Sequence, residues 1–193
     1  MIPTLMTYTG LVVNLIDPDP DTICIEDIAH GLSLCNRFAG HTKEPMSVAQ
    51  HSVNVSRLCF YHHALQGLLH DASEAYLGDI TKWLKQAPEF EKYRELENKM
   101  QRVIYTKFGC EARTTPVVDY ADRYMVRIEA QWGYKTYPIE HPDYPPPSTD
   151  EELHRVSRLF HWNAKLAERK FLVEYTILSS GEKRKKVMTR GEI

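Results

Sequence analysis

Apolar residues in this chain recur mainly at three- and four-residue intervals, the spacing of one face of a helix. The clearest run is Leu65, Leu68, Leu69, Ala72 and Ala75. It predicts a central helix stopped at Gly78, since glycine readily takes the left-handed conformation that closes a helix. Before it, Ile28, Ala29, Leu32 and Cys35 predict a helix over 26–36. A second is expected over 48–60, opened by Ser47 with Gln50 three residues on, as in a capping box. After it, a short turn over 80–85 begins at Asp79, a possible cap, and Pro88 breaks the chain. A long amphipathic helix then runs over 89–108 to Gly109. Thr115-Pro116 starts a further helix, with proline in its first turn. Thr149 and Glu152 cap a final one to about residue 178, with Leu153, Val156, Leu159, Phe160, Leu166, Phe171 and Leu172 turned to the core. Only the N-terminus departs from the helical pattern. There, 8–15 and 22–25 read as two strands joined by the Asp17-Pro18-Asp19-Pro20-Asp21 turn. The pattern therefore predicts an all-α helical bundle with a small N-terminal β-hairpin inside residues 1–25. The proline-rich stretch 137–147 is expected to be a loop.

Within that pattern, polar residues fall where apolar ones are due. His70 and Asp71 end the apolar run of the central helix, and Glu74 follows one turn later on the same face. Such groups on a buried helix edge are costly unless they are paired or bind a metal. His51 shares a face with Val48, Val55 and Leu58, and Asp122 sits on another apolar-patterned helix, with Asp119 one turn earlier as a rival. Two imidazoles and two carboxylates suit a divalent ion with positions left open for water and substrate. That donor set accepts Co, Mn, Zn, Ni or Fe, and Mg less readily.

Composition narrows the picture. A chain of 193 residues reads as a single domain, 1–193, and its net charge of −2 gives no general signal for nucleic acid. A basic tail is expected over 179–193, where Lys183-Arg184-Lys185-Lys186 stands. A polar, solvated tail is its simplest reading. No apolar run is long enough for a membrane span, and no signal peptide is read at the N-terminus. Cys24, Cys35, Cys59 and Cys110 form no C-x-x-C pair, so free thiols and a cytoplasmic location are expected.

His51, then His70-Asp71, then Asp122, together with Arg37-Phe38, Glu74 and Gly78-Asp79, resembles the HD-domain phosphohydrolase superfamily. The likeness is to the branch of 5′-deoxynucleotidases and bacterial and phage deoxynucleoside triphosphohydrolases, and it runs from about Tyr8 to Leu172. It implies His51, His70, Asp71 and Asp122 as metal ligands, Asp122 being preferred to Asp119 by its Ala-Asp context. It implies Glu74 as the residue that orients the attacking water and Asp79 as a neighbour of the scissile phosphate. Arg37 would bind that phosphate through its guanidinium fork. Phe38 stands where those nucleotidases carry tryptophan beside the sugar. His41, Lys82 and Lys85 are candidates for further phosphate contacts, which leans toward a triphosphate substrate. The alternative is a monophosphate. Phe38, Tyr76 and Trp83 are candidate stacking groups for the base. A homo-oligomer and a small-molecule nucleotide substrate are implied. Two other readings compete, a non-catalytic nucleotide sensor and a cyclic-nucleotide or alarmone phosphodiesterase. The first predicts no turnover with Mn²⁺ or Co²⁺, and the second a two-metal site.

Overall fold

The computed structural model describes residues 2–136 and 162–180. The N-terminal hairpin is present, but with other strands than the pattern suggested. β1 (Thr4–Met6) pairs antiparallel with β2 (Val12–Asn14), Leu5 opposite Val13. Gly10, at φ +88°, turns the chain inside the expected first strand, and its N–H bonds the Thr7 carbonyl at 3.0 Å. No strand forms over 22–25. Pro18 and Pro20 lack the N–H that a ladder needs. Instead Asp19 accepts from the Asp21 N–H at 2.9 Å and opens a 3₁₀ turn, Pro20–Thr22. Helix α1 (Ile25–Leu34) then starts at once. Asp27 ties the hairpin down, accepting from the N–H and the hydroxyl of Thr9, both at 2.8 Å.

The helices that follow are α2 (Val48–Leu58), α3 (Tyr61–Leu69), α4 (Glu74–Leu77), α5 (Lys82–Gln86), α6 (Glu91–Lys107), α7 (Pro116–Gly133) and α8 (Ala164–Ser179). Ser47 caps α2 as its sequence predicts, accepting from the Gln50 N–H at 3.2 Å. Asp79 does not cap α5, whose N-terminal flanking residue is Thr81. Helix α8 is not the continuation of a run from residue 149. Asn163 is extended and caps it, accepting from Leu166 N–H at 2.9 Å. The Thr149–Glu152 cap, the apolar positions Leu153 to Phe160, the 137–147 loop and most of the basic tail lie outside the described residues.

Helix α2 is the axis of the bundle. Every residue from Val48 to Ser56 is buried, and α1, α3, α7 and α8 pack around it. Ile28, Leu32, Val53, Leu68, Met100, Ile104 and Phe171 fill the space between. Burying each contributes about 1.5–3 kcal/mol. Two glycines set how closely the helices approach. A Cβ on Gly67 would meet Cys59 Sγ at 2.9 Å, and one on Gly31 would meet the Ala75 carbonyl oxygen at 3.0 Å. The second contact holds α4 against α1 and so positions the segment between α3 and α4. No disulfide joins the four cysteines. Among the described residues, no helix is long and apolar enough to cross a membrane.

Candidate metal centre and cleft

The segment carrying His70 and Asp71 is not a regular α-helix. Helix α3 ends at Leu69, and the chain passes to α4 through tight turns. The Ala72 N–H bonds Leu69 O, and the Glu74 N–H bonds Asp71 O, both at 3.0 Å. With about three residues per turn, Asp71 and Glu74 stack over one another more closely than on an α-helix. Gln101 of α6 braces both ends of this turn. Its amide nitrogen donates to Leu69 O at 2.7 Å, and its amide oxygen accepts from the Ser73 N–H at 3.0 Å.

The turn presents His70 to His51 of α2 and Asp122 of α7. The two Nε2 atoms are 3.2 Å apart. Asp71 Oδ2 is 3.2 Å from His70 Nε2 and 3.6 Å from His51 Nε2. Asp122 Oδ1 is 3.0 Å from His51 Nε2 and 3.7 Å from His70 Nε2. Donors about 2.1 Å from one ion lie roughly 3.0 Å apart at octahedral and roughly 3.4 Å apart at tetrahedral angles. The separations among His51, His70 and Asp71, 3.2–3.6 Å, are of this size. His51, His70 and Asp71 form a cluster that could hold a metal ion, and Asp122 touches both histidines from the third side. Asp119 is exposed and contributes nothing to it.

The tautomers also suit a metal. His70 Nδ1 is 2.9 Å from the Gly67 carbonyl, which can only accept, so Nδ1 carries the hydrogen. His51 Nδ1 is 3.0 Å from the Glu129 carboxylate. Each ring therefore turns the lone pair of its Nε2 inward. Two lone pairs facing at 3.2 Å repel unless a proton or a cation lies between them. Burial would lower the His70 pKa, yet Asp71 and Asp122 outweigh it and hold it well above the ordinary value. Burial and Arg37 oppose protonation of His51, but Glu129 and Asp122 raise it too. Burial works against ionisation of Asp71 and Asp122, and the two histidines hold both below the usual carboxylate range.

This cluster forms the floor of a cleft of about 680 Å³, within the range of small-molecule sites. Asp71 and Asp122 open onto it. His51 and His70 lie behind the lining, whereas Arg37, Phe38, His41, Glu74, Asp79, Lys82 and Lys85, together with Trp83 and Tyr134, also open onto the cleft. Tyr76 is not among them. It is buried beneath α1, its hydroxyl near Cys24 and Asp27. Glu74 is buried, and burial and Asp71 push its pKa well up. Its Oε1 accepts from Lys85 at 3.0 Å, while Oε2 has no hydrogen-bond partner among the described residues. Lys85 also donates to Glu97 at 2.6 Å, so two carboxylates already hold its ammonium.

Sequence reasoning missed Glu129, which is fully buried on α7 and touches both His51 and Arg37. The available signal was its place two turns after Asp122, on a helix whose Val118, Ala121, Met125 and Ile128 are buried. After Arg37 the backbone is strained. Phe38 and Ala39 adopt φ of 54° and 50°, the left-handed region, which costs about 1–2 kcal/mol for a residue with a side chain. Ala39→Gly is expected to stabilise the protein by about 0.5–1 kcal/mol, read as a raised urea midpoint. A lowered midpoint, the ordinary result of adding glycine, would show that the strain is absent in solution.

Fold and cleft together define an all-α bundle with a histidine–aspartate cluster that could hold a divalent ion at the floor of an open site. No protein-family model matches the chain. It is 42% identical over 125 residues to the Escherichia coli protein YfdR, an alignment spanning 65% of this chain and 69% of that protein. It is 35% identical over 136 residues to RCAP_rcc00048 of Rhodobacter capsulatus, spanning 64% and 69%. Both relatives are described as uncharacterized. The chain belongs to the family of these proteins.

Proposed function

We propose that the protein is an HD-domain phosphohydrolase that hydrolyses a phosphoester or phosphoanhydride bond of a nucleotide or nucleoside analogue in a metal-dependent reaction. The observation that carries this reading is the pair of inward-facing Nε2 atoms, 3.2 Å apart, between two aspartates at the floor of a cleft lined by Arg37. His51, His70, Asp71 and Asp122 would hold the ion. Co, Mn, Mg, Zn, Ni and Fe are its candidates. When bound, such an ion supplies an acidified water and neutralises phosphate charge.

The chain's own residues do the rest. Arg37 binds the phosphate oxygens and stabilises the charge that grows there. Glu74 orients the attacking water. As the new P–O bond forms and the old one breaks, Oε2, which has no partner among the described residues, takes the water's proton, which the leaving oxygen finally receives. Asp79 lies on the cleft wall beside that exchange. Phe38, Trp83 and Tyr134 offer aromatic surface for sugar and base.

His41, Lys82 and Lys85, as candidate phosphate contacts on the cleft wall, favour a triphosphate substrate. The pairing of Lys85 with Glu74 and Glu97 favours a second reading, a monophosphate, because it leaves fewer cations for distant phosphates. Product analysis by ³¹P NMR, with dATP and dAMP and each of Mg²⁺, Mn²⁺ and Co²⁺, tests both. Inorganic triphosphate or stepwise orthophosphate from dATP supports the first, and orthophosphate from dAMP alone the second. No product with any metal contradicts the hydrolase reading for these nucleotides. Lys82→Ala is expected to raise KM about tenfold for a triphosphate and to leave kcat near that of the wild type, as loss of uniform binding does. Lys85→Met is expected to lower kcat instead, because it removes the partner of Glu74. Equal effects of the two substitutions would contradict this division.

A further inference from the structure

Glu129 closes a ring. Its Oε1 is 3.0 Å and its Oε2 3.1 Å from His51 Nδ1. The same Oε2 is 3.0 Å from Arg37 Nε. Arg37 Nη1 reaches Asp71 Oδ2 at 3.4 Å, and that oxygen is 3.6 Å from His51 Nε2. Glu129 itself has no exposed surface and does not line the cleft. A carboxylate placed so deeply costs more than an apolar residue unless its charge is used. Here it is used twice, on a histidine of the metal cluster and on the arginine that faces the phosphate.

We propose that Glu129 is a positioning residue that joins His51 and Arg37 into one unit, so that the ion and the phosphate bind cooperatively. The inference rests on the hydrolase reading above and adds to it the linkage between the two sites. If His51, His70 and Asp71 held an ion, the long 3.4 Å contact of Asp71 Oδ2 to Arg37 Nη1 would weaken. Glu129 would still hold the guanidinium by charge, as an ion pair at 3.0 Å, and the released N–H would turn to a phosphate oxygen. By reciprocity, phosphate held on Arg37 strengthens the ion's site by the same factor.

The test is a visible-absorption titration of the full-length protein with Co²⁺, with and without inorganic phosphate. In the wild type, phosphate is expected to tighten Co²⁺ binding about 5- to 100-fold. Glu129→Gln is expected to weaken Co²⁺ binding about 10- to 100-fold and to reduce the effect of phosphate to less than about twofold. Arg37→Lys supplies an independent reading if the glutamine variant does not fold by circular dichroism. It should bind Co²⁺ within about threefold of the wild type and still lose the phosphate effect, since an ammonium lacks the planar fork. Wild-type Co²⁺ affinity and full phosphate coupling in either folded variant would overturn the inference and leave the hydrolase reading intact. Failure of the wild type to bind Co²⁺ would overturn both.

Discussion

Replacing Asp71 by asparagine is expected to abolish the proposed turnover while the fold persists. The change keeps the side chain's shape and removes one of the two carboxylates that face the histidine pair, the one 3.2 Å from His70 and 3.6 Å from His51. Even partners outside the ligand shell shift metal affinity about 10- to 100-fold, so loss of a ligand is expected to exceed that, and product formation to fall at least about 10³-fold. The circular dichroism spectrum should be unchanged, because Leu69, Ala72 and Gln101 still hold the turn. A variant that keeps more than a tenth of wild-type activity would show that Asp71 is not part of the reacting centre.

Arg37→Ala is expected to damage stability as well as activity. Arg37 and Glu129 are both buried, and 3.0 Å separates their charges. Removing one partner of such a pair leaves the other charge stranded and costs about 3–5 kcal/mol. In a protein of this size that is roughly a 6–20 °C fall in Tm. Lys82→Ala, by contrast, changes an exposed side chain on the cleft wall and should leave Tm within about 2 °C. Calorimetry of the two variants side by side distinguishes a guanidinium built into the structure from one that only waits for substrate. A Tm for Arg37→Ala equal to that of Lys82→Ala would contradict the buried pairing.

The helical architecture was legible because the apolar spacing of α1, α2, α3, α6 and α7 survives in their buried faces. Ends were less so. The 70–73 segment has helical spacing, but whether it winds as α-helix or as tighter turns is decided by Gln101, thirty residues away in sequence, which bonds both ends. The hairpin was legible in kind and not in register. Gly10 and the Thr9–Asp27 bonds place the turn, and the second of these is tertiary. The site followed the same division. His51, His70, Asp71 and Asp122 stood out as polar residues on apolar helical faces, and the structure brings them together. Lys85 stood out as a cation near the site, but its pairing with Glu74 and Glu97 depends on how α5 meets α6. Glu129 was hidden because a single acid on a helix carries no mark of the two partners, from α2 and from the turn after α1, that surround it.

The most direct measurement is anomalous diffraction from crystals grown with Co²⁺, recorded on either side of the cobalt edge. One peak is expected beside the cleft, about 2.0–2.3 Å from His51 Nε2, His70 Nε2 and carboxylate oxygens of Asp71 and Asp122. A well-ordered structure with no cobalt between the two histidines, or with cobalt bound only elsewhere, would contradict it.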